Sequence, residues 1–493
     1  MADWQNLPSL VVLEICAAIQ PSYVVQDLFT TTTTDAELSS HLQPQWLTAF
    51  HLSMTCKRFR TLITPVLYRR INIHGGRTAL KIASLLRFLV KHRELALGVR
   101  QLTLSLEIPG AGFVTLTPHD FDGIQAAARR SLIPVPKCLD LGPGNSNSSI
   151  AQRQSQFAFD CASLRYLLEV TLYHMRGLRE LGIAQPWPLY TSHLNELPTT
   201  FHLEVDTMDN RVMDEHARYS RYITNQRSDF FTLPHLTSFA VRPSYCPLIA
   251  GLDFQACATT IALGPNITRL YVSTDWVEMN QNGGGPFQAL ESVTDLTLDK
   301  MSLVPADLST IVDSCGSLET FKYLPTRKGP PGNFLEVEFP VLTYLLRHHK
   351  NTIDTLRTFC FTAHKTPGYT YDPTETFLRF SNLENLWVEV WNLQGHRNDD
   401  EQHQGHAFYR ILTTLPRSIV RLHLKGDLSQ LSADLVFLAQ NTWKYPQLRV
   451  VEIEARDTDE PDDAGDEEHS DGESAHEGSE DDDKECDSDG KTD

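Results

Sequence analysis

No run of about 18 consecutive apolar residues, the length a helix needs to cross a bilayer, occurs anywhere in the 493-residue chain. The opening residues, Met1-Ala2-Asp3-Trp4-Gln5-Asn6, place no basic cluster ahead of an apolar core. The sequence therefore predicts neither a membrane span nor a signal peptide. Cysteines are few and unpaired in pattern. Nine are scattered at positions 16, 56, 138, 161, 246, 257, 315, 360 and 486, with no Cys-x-x-Cys among them. An odd number without metal-type spacing argues against a disulfide framework and against a zinc site, and it fits a reducing compartment, cytoplasmic or nuclear. With that compartment, the Asn-x-Ser/Thr triplets at Asn147 and Asn266 read as chance.

A basic surplus is also missing. The net charge is −19, and it is carried almost entirely by one end. Asp457–Asp493 holds 19 acidic side chains against Lys484 and Lys491, a net of −17. The remaining 456 residues are close to neutral, at −2. Nothing in that balance draws the folded part to nucleic acid or to an anionic membrane, and neither is expected as a partner.

Catalytic signatures are absent as well. There is no phosphate-cradling Gly-x-x-x-x-Gly-Lys-Ser/Thr, no Gly-x-Gly-x-x-Gly, no Gly-x-Ser-x-Gly and no His-Glu-x-x-His. Gly283-Gly284-Gly285 lies between two strand candidates without a helix to open and reads as a loop. His396, His403 and His406, with Asp399, Asp400 and Glu401, are metal-ligand residue types, but they follow no recognised spacing and read as a solvated loop. No catalytic residue, cofactor or metal is expected, and the chain is not expected to be an enzyme.

What is present divides into three zones. Residues 5–73 have helical spacing. Asn6 can cap a helix, Pro8 suits its first turn, and Leu10, Val11 and Ile15 recur on one stripe. A polar interruption from Ser22 to Gln43 contains the run Thr30–Thr34, whose β-branched side chains disfavour helix and predict a loop. Helical spacing resumes through Leu47, Phe50 and Met54, then Phe59, Leu62, Ile63 and Val66, and a further helix is predicted over Arg77–His92.

The second zone, residues 76–456, contains a repeat. A pattern of apolar, two others, apolar, one other, apolar occurs ten times, beginning at Val99, Leu178, Leu236, Ile267, Val293, Leu318, Leu356, Leu383, Ile419 and Leu448. From Leu236 onward the starts are 31, 26, 25, 38, 27, 36 and 29 residues apart; the two earlier gaps, of 79 and 58, leave room for degenerate units or insertions. The last two apolar positions alternate as in a half-buried strand, and each interval can hold one helix or a loop, with Ala306–Asp313 and Ala433–Gln440 as examples. One strand per unit, stacked on the next, is the pattern of a solenoid. Ordinary α/β strands are the other reading. An asparagine at a fixed place after each strand is mostly absent, so a regular asparagine ladder is not expected and the arc should be irregular. The third zone, Asp457–Asp493, lacks Phe, Trp and Tyr and any aliphatic residue larger than alanine, cannot bury enough surface to offset ordering entropy, and is predicted to be disordered. Within it Ser470, Ser474 and Ser479 each precede an acidic residue by three positions, a context that suits acid-directed kinases.

The first zone resembles an F-box, the helical module that docks on the Skp-type adaptor of cullin–RING ubiquitin ligases. The residues that carry the resemblance are Leu7-Pro8, then Val11, Val12 and Ile15, then Leu47, Leu52, Cys56, Lys57, Arg58 and Phe59. The continuation Pro65-Val66-Leu67-Tyr68-Arg69-Arg70-Ile71 is similar to many fungal F-box proteins, as is Leu85-Leu86-Arg87-Phe88-Leu89 followed by Val99-Arg100-Gln101-Leu102-Thr103-Leu104, which in that group leads into leucine-rich-repeat-like strands. Leu10 stands where that family commonly has an acidic residue, and Phe59 where tryptophan is common.

The resemblance implies an α/β chain with an N-terminal helical F-box, an irregular leucine-rich-repeat-like solenoid and a disordered acidic tail. It implies a substrate-recognition subunit of an SCF-type ligase, docking through Leu7, Pro8, Val11, Val12, Ile15, Leu47, Leu52, Cys56 and Phe59. The target, a protein of unknown identity, would be presented on the repeat region. Strand alternation makes Arg269, Tyr271, Asp295, Thr297, Asn385, Trp387, Arg421 and His423 outward candidates, with Trp391 four residues after Trp387. A non-ligase scaffold that binds basic partners through the solenoid and acidic tail is the alternative.

Overall fold

The computed structural model describes residues 8–19, 47–74, 77–105, 116–130, 163–164, 166–184, 232–242, 252–253, 261, 264–273, 277–278, 290–301, 303–325, 339–349, 352–362, 377–389, 415–426, 432, 435–436 and 438–455. The threonine run, Gly283–Gly285, the histidine stretch 396–406, Leu7, Trp391 and the acidic tail lie outside the described residues.

The repeat becomes one parallel sheet. Eleven strands run in chain order: β1 (Arg70–Ile73), β2 (Gln101–Ser105), β3 (Glu180–Ala184), β4 (Ser238–Arg242), β6 (Arg269–Ser273), β8 (Asp295–Asp299), β9 (Thr320–Leu324), β10 (Thr358–Phe361), β11 (Asn385–Glu389), β12 (Arg421–Gly426) and β13 (Val450–Ala455). Among the described residues, each pairs in parallel with its neighbours in this order, β1 and β13 being the two ends. β5 (Leu252–Asp253) and β7 (Val277–Glu278) form a separate two-stranded pair. All ten pattern instances end in a strand of the large sheet. β2 pairs directly with β3, and β3 with β4, so the long gaps of 79 and 58 residues are insertions between neighbouring strands and add no strand to the sheet.

The register explains why the apolar positions recur. Leu270, Leu296 and Phe321 stand side by side on successive strands, as do Val272, Leu298 and Tyr323, all buried. Aromatic rungs extend the rows: Phe321 stacks on Phe359 (centroids 6.3 Å apart) and Tyr323 on Phe361 (6.0 Å). These rows join helices on the same side in one continuous core. The helix Pro305–Ser314 contributes Leu308, Ile311 and Val312, and Thr78–Lys91 contributes Ala79, Ile82, Leu86 and Leu89 at helical spacing. The expected helix over 77–92 is thus present.

In place of an asparagine ladder, a column of backbone carbonyls ties unit to unit. The carbonyl of the residue before each strand accepts two successive N–H groups from the next unit. Arg69 receives Arg100 and Gln101, Arg179 receives Thr237 and Ser238, and Arg357 receives Glu384 and Asn385; the same arrangement runs through Val420, which receives Arg449 and Val450. Short polar side chains add to it. Ser292 donates to Ile267 O, Thr355 to Leu318 O and Ser418 to Leu383 O, each at 2.8 Å. At Gly177 the packing between units is so close that a Cβ would run into the Leu97 carbonyl and the Arg100 guanidinium, which itself donates to Gly177 O at 2.8 Å.

The helical zone has its own small core. α1 (Ser9–Ile19), a helical stretch at 47–55 (α2) and α3 (Lys57–Leu67) enclose Val12, Ala49, Phe59, Ile63 and Leu67. Cys56 caps α3, its Sγ accepting the Phe59 N–H at 3.4 Å. This zone does not stop before the sheet. Its last residues, Arg70–Ile73, are β1, and Tyr68 stacks on Phe88 of the next helix with centroids 4.5 Å apart.

Candidate interaction surfaces

The residues expected to dock the adaptor divide by exposure. Val12 and Phe59 are buried in the small core, where they hold the helices together. Val11, Ile15, Leu47, Leu52 and Cys56 are half-buried, and Pro8 is exposed. Among the described residues, the large apolar side chains that this zone leaves in solvent are others. Leu10 is 67% exposed and Met54 62%, with Leu13 and Phe50 also exposed. Leu10 and Leu13 lie three apart on α1, and Phe50 and Met54 four apart on α2, so each pair shares a helix face. Their signal was in the sequence, as apolar residues at helical spacing, but spacing alone does not say which stripe of a helix meets its own core.

The second surface is the sheet face opposite the core. One row on it runs Thr103, Gly182, Ala240, Tyr271, Thr297, Lys322, Cys360, Trp387, His423 and Glu452, each opposite the next. Alternation places these residues on the outward face, as expected, but it does not set their exposure. From Thr103 to Thr297 the row is buried. Tyr271, a candidate binding residue by sequence, is fully buried, and its hydroxyl donates to Asp299 Oδ2 at 2.7 Å. Burial first, then the Asp299 charge, pushes that phenol far above its ordinary range. Cys360 is equally buried, and desolvation raises its thiol to about 12. Thr297 is buried, while Asp295 and Arg269 are half-buried; Arg269 lies 3.9 Å from Glu180.

At the carboxy-terminal end the same row opens. Trp387 is 37% exposed and rests at a tilt on His423, centroids 4.5 Å apart. The two His423 ring nitrogens sit between Glu452 and Glu454 of the last strand, Nδ1 at 3.2 Å from Glu452 Oε2 and Nε2 at 3.2 Å from Glu454 Oε2. Lys425 Nζ is 2.8 Å from Glu454 Oε1. The hydrogen bond from Lys425 holds the Glu454 carboxyl below the usual carboxylate range despite partial desolvation, with His423 assisting. Asn385 donates to Thr358 Oγ1 at 3.2 Å, and Arg421 is exposed. Trp387, His423 and Arg421 are therefore brought to one accessible end.

No protein-family model matches this chain, and no curated protein matches it. Among the described residues no helix is long and apolar enough to cross a membrane, and no cluster of three or more His, Cys, Asp or Glu side chains could hold a metal ion. The arrangement offers surfaces for binding: an apolar helical module at one end and an aromatic and charged sheet face at the other.

Proposed function

We propose that the chain is a substrate-recognition subunit of an SCF-type cullin–RING ubiquitin ligase. In this reading residues 5–73 are an F-box, the parallel sheet is an irregular leucine-rich-repeat-like solenoid that holds a protein target, and the acidic tail follows it. The observation that carries the reading is the helical zone. Among the described residues its core holds five buried side chains, and Leu10, Leu13, Phe50 and Met54 stand in solvent on this small module. Such a face is suited to a groove or helix face on a partner. β1 joins that module directly to the sheet, so a target on the sheet would be held at a defined place relative to the adaptor. The chain would supply proximity, bringing a target lysine to a ubiquitin thioester carried by other subunits.

Co-purification with a Skp-type adaptor tests the reading. The intact chain should retain the adaptor, and Leu10→Asp with Met54→Asp should release it while leaving the melting temperature of the sheet unchanged. Failure of the intact chain to bind removes the ligase reading. The non-ligase scaffold is favoured instead if a basic partner is retained and the adaptor is not, since Glu452, Glu454 and the tail concentrate negative charge at the carboxy-terminal end.

A further inference from the structure

β13 is the last strand of the sheet, and it differs from every other strand in its inward row. Val451 and Ile453 occupy the positions that are buried in all nine strands of the large sheet from β2 to β12, yet they are 36% and 38% exposed. Among the described residues no strand pairs on the far side of β13. The Val450 N–H donates to Val420 O in a parallel register, so the N–H and C=O groups of Val450, Glu452 and Glu454 face β12, and those of Val451 and Ile453 face away from it. The edge thus presents backbone donors and acceptors, two aliphatic side chains below and two glutamates above.

We infer that this edge accepts an additional strand from a partner protein, an extended segment in which basic residues alternate with aliphatic ones. A paired edge would satisfy the free backbone groups, and alternation would set aliphatic side chains beside Val451 and Ile453 and cations beside Glu452 and Glu454. Charge selects this occupant over the others at hand. Two copies joined edge to edge would set the glutamates of both β13 strands opposite one another, and each copy carries a tail of net −17. The chain's own continuation, Asp457–Asp493, is acidic and without aliphatic side chains other than alanine, so it offers neither the cations nor the apolar contacts. The inference does not rest on the ligase reading: Leu10→Asp with Met54→Asp leaves this edge intact.

The probe is a fluorescein-labelled peptide of alternating lysine and valine, on the order of ten residues long, titrated into the full-length chain. Saturable binding is expected, with slowed amide exchange at Val451 and Ile453. Glu452→Lys with Glu454→Lys should weaken it about tenfold or more through lost and reversed charge. Ile453→Pro, which removes an edge-facing N–H and keeps the pairing to β12, should weaken it similarly with the melting temperature retained. The same peptide N-methylated at alternate backbone nitrogens keeps its charge but cannot pair. Equal binding of that peptide overturns the inference in favour of simple attraction to the tail. Protection of other amides overturns it, as does protection of Val451 and Ile453 that rises with protein concentration in the absence of peptide, which would mark a second copy.

Discussion

The open face of the sheet behaves as two different surfaces on one repeating backbone. Between β2 and β8 the central outward row is buried and serves the fold, as with Tyr271, whose hydroxyl donates to the half-buried Asp299. Between β11 and β13 residues of the same row are accessible, as with the aromatic Trp387 and the acidic Glu452. Position within a unit is therefore a poor guide to role; position along the stack decides it. A tyrosine and a tryptophan in equivalent places have opposite uses, one closing a buried hydrogen bond and the other offered to solvent.

The largest contrast should appear on the inward row. Leu296→Ala in the middle of the stack should cost about 2–5 kcal/mol, because both flanking strands hold the cavity open. Ile453→Ala at the end should cost about 1 kcal/mol or less, since its side chain is already partly in water. Equal losses by denaturant titration would show that the carboxy-terminal end is covered in solution. A smaller effect is expected on the outward row. Tyr271→Phe leaves the Asp299 carboxylate without its hydroxyl donor and should cost about 1–2 kcal/mol, whereas Trp387→Ala should leave the melting temperature nearly unchanged and reduce partner binding. A large melting drop for Trp387→Ala would make it a packing residue.

The smallest effect concerns acid. The Glu454 carboxyl is held below its ordinary range chiefly by Lys425, so its ion pair contributes stability above the unfolded carboxylate pKa and loses it as the pH falls through the lower folded value. The group is partly exposed, so the contribution is a few tenths of a kcal/mol. Lys425→Met should flatten the stability-versus-pH curve at that end by this amount, and an unchanged curve would remove the pair from the account.

Much of the sheet was legible because one-strand units impose a strict pattern. Val99, Leu178 and Ile267 each announce a strand that starts two residues later, and in each the apolar positions point to the core. The first strand was missed because its unit, Tyr68-Arg-Arg-Ile71-Asn-Ile73, opens on a tyrosine inside a helical run, and local spacing there is still that of α3. The pattern also reaches further back than six residues. Leu233 precedes Leu236 by three, as Leu290 precedes Val293, each pair closing a turn through an N–H to carbonyl hydrogen bond. Exposure was the illegible part. Period-two alternation assigns Tyr271 and Trp387 to the same face, but what lies over a face is a matter of three-dimensional neighbours. The same limit applies to the helical zone, where Val12 turned inward and Leu10 did not.

The carbonyl column between units also bears on how such a chain can change over generations. Strands β2 and β3 are separated by residues 106–179 and β8 and β9 by residues 300–319, yet both junctions close on the same two-armed acceptor. Because the junction is made by main chain, it asks nothing of the residues in between. By loop-closure entropy, each doubling of a connection costs only about 0.6 kcal/mol. Segments outside the core-packing helices can therefore be gained, lost or exchanged between strands with the neighbouring units left in place and the sheet not rebuilt.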